Sequence, residues 1–138
     1  MSDEIGGSCL CGAVRYRIRP PFSWFQYCYC SRCRKVSGSA HSSHLLLAIE
    51  QLSWTAGEEQ LGRYELPGAK AFTTCFCRTC GSTLPWTTQN GRWVLVPAGT
   101  LDDDPGERPQ RNIHWASRAP WYRVCSDLPA FESIPPGK

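Results

Sequence analysis

The chain has 138 residues, 41% of them hydrophobic, with nine cysteines and a formal net charge of +3. That length suits a single domain over 1–138 with a modest core, and the ordinary apolar fraction excludes general disorder. The small charge gives no reason to expect nucleic acid, and the strongest apolar run, 45–49, is far too short to span a membrane.

The start, Met1-Ser2-Asp3-Glu4, is acidic and no signal-peptide run follows, so the expected compartment is the cytoplasm, where thiols stay reduced. Cys9-Leu10-Cys11-Gly12 then has the spacing with which a backbone bends around one metal ion. Val14, Tyr16 and Ile18 alternate with Arg15, Arg17 and Arg19, the period of a half-buried strand with one wet face, which Pro20-Pro21 ends. A strand expected over 23–29 runs into Cys28-Tyr29-Cys30-Ser31-Arg32-Cys33. Residues 31–36 are the one helical stretch, with Ser31 placed to cap it and Gly38 near its end.

Further strands are expected over 44–49, 51–55, 60–66, 71–76, 84–87 and 93–98, which makes the chain mainly β. Gly57, Pro67-Gly68, Asn90-Gly91 and Asp104-Pro105-Gly106 supply the reversals between them, Asn90-Gly91 being the clearest hairpin signal. The third cysteine cluster, Cys75-Phe76-Cys77-Arg78-Thr79-Cys80-Gly81, closes the strand at 71–76. Cys125, in Trp121-Tyr122-Arg123-Val124-Cys125, is expected to pack in the core, and 132–138 to form a frayed tail.

Clustered thiols in a reducing compartment point to metal, and thiolate pairs at this spacing point to zinc, two ions per chain. Cys9, Cys11, Cys77 and Cys80, each pair followed by a glycine, make a closed four-ligand structural site that ties the amino-terminal strand to the second half. Cys28, Cys30 and Cys33 supply three ligands and leave a fourth position open, the mark of a catalytic site. Cys75, Cys125 or a histidine could instead close that position, although Cys75 reads more readily as a small buried hydrophobe and the histidines as structural. Arg32, Arg34 and Lys35 flank the cluster, where they could bind the carboxylates of a substrate.

Three segments, Gly7-Ser8-Cys9-Leu10-Cys11-Gly12-Ala13-Val14-Arg15-Tyr16, Cys28 through Gly38, and Phe76-Cys77-Arg78-Thr79-Cys80-Gly81-Ser82, together resemble the glutathione-dependent formaldehyde-activating enzyme family, to which centromere protein V belongs. The similarity continues through Ile113-His114-Trp115, Ala119-Pro120-Trp121 and Asp127-Leu128-Pro129-Ala130-Phe131 and so covers nearly the whole chain. It implies an Mss4-like, zinc-bound fold of small antiparallel sheets, and the same division of the cysteines into a structural and a catalytic zinc. It also implies the family's chemistry, a carbon–sulfur lyase reaction in which the thiol of glutathione adds to formaldehyde to give S-(hydroxymethyl)glutathione. The alternative is a two-zinc binding module without catalysis, holding a protein or nucleic-acid partner against its sheet, for which the row Arg15, Arg17, Arg19 offers a basic face.

Overall fold

A computed structural model describes residues 3–137; Met1, Ser2 and Lys138, the outermost residues of the acidic start and of the expected tail, lie outside them. The strands are β1 (Ile5–Ser8), β2 (Arg15–Ile18), β3 (Trp24–Cys28), β4 (Ser42–Ala48), β5 (Leu52–Ala56), β6 (Leu61–Glu65), β7 (Thr73–Cys77), β8 (Trp86–Thr87), β9 (Trp93–Pro97) and β10 (Arg111–Ile113), with helix α1 (Ser31–Ser37) between β3 and β4. They form three small sheets of order β1-β2-β5, β10-β3-β4-β9-β8 and β6-β7. The architecture is mainly β with one short helix after the second cysteine cluster, as expected. No helix among the described residues is long and apolar enough to cross a membrane.

The predicted alternation decides what is inside. Tyr16 and Ile18 of β2 are buried while Arg15 and Arg17 are exposed, and Leu45, Leu47, Val94 and Val96 bring the inner face of the central sheet against them, all four fully buried. Side chains of this kind stabilise by about 1.5–3 kcal/mol each when taken out of water, so these six supply much of the cohesion. Phe22, Leu52, Trp54, Leu61 and Trp86 pack around them from the flanks.

Four details depart from expectation. β1 and β10 were not foreseen, and β10 joins β3 in parallel, whereas every other strand pairing is antiparallel. Helix α1 is capped not by Ser31 but by Cys30, whose sulfur accepts from the Cys33 amide at 3.4 Å, while Gly38 closes the other end in the left-handed conformation. The Asn90-Gly91 reversal does join two antiparallel strands, β8 and β9, but through a loop of several residues rather than two. Cys125 is exposed, because after the buried Ala119 the chain runs over the surface and Cys125 starts a short 3-10 turn there.

Candidate metal centres and cleft

Two knuckles face each other across the first sheet and β7. In each, a glycine with positive φ, Gly12 at 80° and Gly81 at 79°, turns the chain so that its amide bonds back to the carbonyl of Cys9 or Cys77. This brings the sulfurs of Cys9, Cys11, Cys77 and Cys80 within 4.8 Å of one another. The Cys9–Cys11 and Cys11–Cys77 separations are 3.6 and 3.9 Å. A disulfide would hold its sulfurs at about 2.05 Å. Four thiolates on zinc at about 2.3 Å form a tetrahedron with edges of about 3.8 Å, which the observed pair of distances brackets. The Val14 amide bonds to the Cys9 sulfur at 3.2 Å, and Ser82 bridges the knuckles by bonding both the Leu10 amide and the Cys80 sulfur. Those Ser82 bonds, from side chain and backbone, hold the Cys80 thiol down at about 5.

The second group, Cys28, Cys30 and Cys33, lies where β3 passes into α1, and its sulfurs also fall within 4.8 Å of one another. It contains three members, with no fourth cysteine, histidine or carboxylate among the described residues within that reach. Cys75 stays in the core, its thiol raised to about 11 by burial. The bond from the Cys33 thiol, helped by the Cys30 amide and thiol, holds Cys28 near 6 despite its burial, and the same contact pushes Cys33 up. Cys33 therefore retains its proton until a cation displaces it.

Strand register builds the surroundings of the second group. Arg111 of β10, Gln26 of β3 and His44 of β4 stand side by side on adjacent strands, as do Ile113, Cys28 and Ser42 two residues further on. The first row is hydrogen-bonded throughout: Arg111 Nε donates to Gln26 Oε1 at 2.7 Å, and the Gln26 amide donates to His44 Nε2 at 2.9 Å. With Nε2 accepting, the His44 proton sits on Nδ1 and points to Ser42 Oγ at 3.2 Å, and the Ser42 hydroxyl bonds in turn to the Cys33 sulfur. Every donor in this chain thus points toward the sulfur cluster. Burial lowers His44 to about 4, which keeps the imidazole neutral in its accepting role. Behind the cluster, Tyr29, buried to 1% exposure, packs edge-on against Trp115 and Tyr122, so the carboxy-terminal segment forms its back wall.

Two cavities meet at this point. The larger, about 740 Å³, is lined by all three cysteines together with Arg32, Lys70 and His114. The smaller, about 330 Å³, shares Cys33, His44, Phe72 and Trp86 with it and continues past Val36 and Pro97. His114 has φ 54°, a left-handed conformation that a non-glycine residue adopts at a cost, and its charge contributes to the lowering of Cys28.

Of the residues expected to meet substrate, Arg32 lines the larger cavity and reaches over the Phe72 ring at 5.9 Å. Arg34 and Lys35 lie in the last turn of α1 and line neither cavity, Arg34 Nε being buried without a hydrogen-bond partner. Lys70, Arg111 and Gln26 were not singled out from sequence, and His44 only as a histidine that could approach the second group, with a structural role favoured. Only the non-local register joins them, and a charged residue in a turn or a glutamine in a strand gives no local signal.

Residues 4–117 match the family model described as glutathione-dependent formaldehyde-activating enzyme. A protein of Halomonas elongata bearing the name "Putative glutathione-dependent formaldehyde-activating enzyme" is 32% identical over 118 residues, which cover 78% of this chain and 71% of that one. Among solved structures, the crystal structure of a Rhodobacter sphaeroides protein resembles this fold with a TM-score of 0.61 and 27% identity, over 76% of this chain and 98% of that chain.

Proposed function

Because this chain belongs to the glutathione-dependent formaldehyde-activating enzyme family, we propose that it adds the thiol of glutathione to formaldehyde to give S-(hydroxymethyl)glutathione, a carbon–sulfur lyase reaction run toward addition in the cytoplasm. In this reading Cys9, Cys11, Cys77 and Cys80 hold a structural zinc, and Cys28, Cys30 and Cys33 a catalytic one. The observation that carries it is the contrast between the two groups: four sulfurs at tetrahedral spacing in one, three beside a cleft in the other. Cys28, Cys30 and Cys33 would hold the zinc ion with three thiolates, and the chemistry it would supply there is easier loss of the proton from an incoming thiol.

The protein's own groups would do the rest. Arg32 and Lys70, on the cavity wall, offer charge-assisted bonds to the two carboxylates of the tripeptide. The Ser42 hydroxyl, oriented by His44, Gln26 and Arg111, donates to Cys33 and fixes where that sulfur points. His114 borders the same cavity and can carry the proton released by the thiol to the carbonyl oxygen as the carbon–sulfur bond forms. Phe72 and Trp86 shield the reacting atoms from water.

The test is calorimetric titration of reduced glutathione into zinc-loaded protein in two buffers of different ionisation enthalpy. Saturable heat that differs between buffers by the enthalpy of about one proton is the expected result. Absence of heat at millimolar glutathione would remove this thiol as substrate.

A further inference from the structure

We propose that, beyond formaldehyde, the site takes and prefers larger aldehydes, with an apolar substituent of about four to six carbons or a phenyl ring that occupies the smaller cavity. This rests on the thiol-addition reading of the same site and extends it to the second reactant.

The two cavities differ in chemistry as well as size. The larger one carries the cationic side chains Arg32 and Lys70 and suits an anionic thiol, whereas no Asp, Glu, Lys or Arg lines the smaller one. Val36, Phe72, Trp86 and Pro97 give the smaller cavity an apolar wall, broken by hydroxyls and by the imidazoles of His41 and His44. An uncharged, largely apolar molecule matches that lining. Cys33 belongs to both cavities, so a carbonyl carbon at their junction sits beside the sulfur cluster while its substituent extends away from the thiol site. Formaldehyde, with two heavy atoms, takes up on the order of two waters' share of about 30 Å³ each. That fills less than a fifth of the 330 Å³ available and leaves the aromatic wall in contact with water.

The reaction balances without an oxidant. The thiol S–H bond breaks and leaves its pair on sulfur, a sulfur pair forms the carbon–sulfur bond, and the carbonyl π bond breaks so that its pair forms the O–H bond with the proton the thiol released. The product is a hemithioacetal.

The experiment compares formaldehyde, ethanal, propanal, butanal, pentanal and benzaldehyde with glutathione on zinc-loaded protein, reading hemithioacetal formation above the spontaneous rate by stopped flow. In parallel, benzyl alcohol, which cannot accept a thiol, is titrated as a probe of the cavity alone. From ethanal to pentanal, kcat/KM should rise about fourfold per methylene, the equivalent of about 0.8 kcal/mol each. Gly99 lines the smaller cavity, and a Cβ added there meets nothing within 4 Å, so the side chain of Gly99→Leu starts without a clash and is expected to take up space in the cavity. This variant should lose benzyl alcohol binding and at least tenfold in kcat/KM for pentanal and benzaldehyde, with formaldehyde and glutathione binding unchanged. Val36→Trp, which fills the cavity from the helix side, should act alike. Formaldehyde as the best substrate, with benzyl alcohol not bound, would overturn the larger aldehyde and leave thiol addition intact. Absence of glutathione capture in the calorimetric test would instead remove the underlying reading, whatever benzyl alcohol does.

Discussion

Among the cysteines, burial and position matter more than chemistry, because nine identical thiols end in four environments. Cys28→Ser should abolish glutathione capture and lower the thermal midpoint by only a few degrees, since the four-sulfur group remains to hold the chain together. Cys77→Ser should unfold much of the domain. Matching losses of structure in the two variants, measured by circular dichroism, would count against a catalytic role for Cys28. His44 supports a second prediction. Its folded pKa, about 4, lies below the unfolded value of about 6.5, so the unfolded chain binds the proton first as pH falls. Stability from keeping this imidazole neutral is therefore present above pH ~6.5 and lost between there and pH ~4, at most about 3 kcal/mol. Urea unfolding of wild type and His44→Gln should show a difference that narrows across this window. A difference constant from pH 7 to pH 4 would contradict it.

Secondary-structure elements show where close approach fixes sequence. Gly7 of β1 pairs with Tyr16 of β2, and an added Cβ would lie 2.2 Å from the Tyr16 ring. The ring cannot move aside, being 1% exposed and tied to Thr100 by a 2.6 Å hydrogen bond. Gly7→Ala should thus cost about 1–3 kcal/mol, read as a lower urea midpoint with unchanged slope. Strands with alternation, such as Arg15–Ile18, could be read from sequence because one face is buried and the other wet. β1 could not, since Ile5-Gly6-Gly7-Ser8 reads as a flexible turn until the Tyr16 ring explains its glycine. β10 was hidden for another reason: Arg111-Asn112-Ile113 is short, polar and paired with a strand some 85 residues earlier. The two cysteine groups were legible because the spacing within each knuckle is local. The hydrogen-bonded row leading to Cys33 was not, because it exists only through register.

Seen whole, the molecule is joined across its sequence by sulfur. Residues 9 and 11 meet 77 and 80, so the four-sulfur group forms only when about half of the chain, residues 9 to 80, is in place. Metal affinity at both groups should increase with pH, because thiols must release protons to bind. Cys28, near 6, contributes few at neutrality, while the raised Cys33 contributes throughout. Competition with a chromophoric chelator between pH 6 and pH 8 should therefore show apparent affinity rising with pH, with the stronger chelators also abolishing the folded baseline. A pH-independent affinity would contradict thiol ligation.

The parallel attachment of β10 gives this architecture a capacity for divergence. One wall of the larger cavity, from Ile113 to Ser117, hangs on an edge strand of three residues that shares no side chain with the four-sulfur knuckles. Mutation at Ser117, away from His114, should reshape what the cleft accepts while leaving the four-sulfur group and the β2–β4–β9 interior untouched. Descendants of such a scaffold can exchange substrates by altering one short margin, so the frame will look more alike between relatives than the molecules they handle.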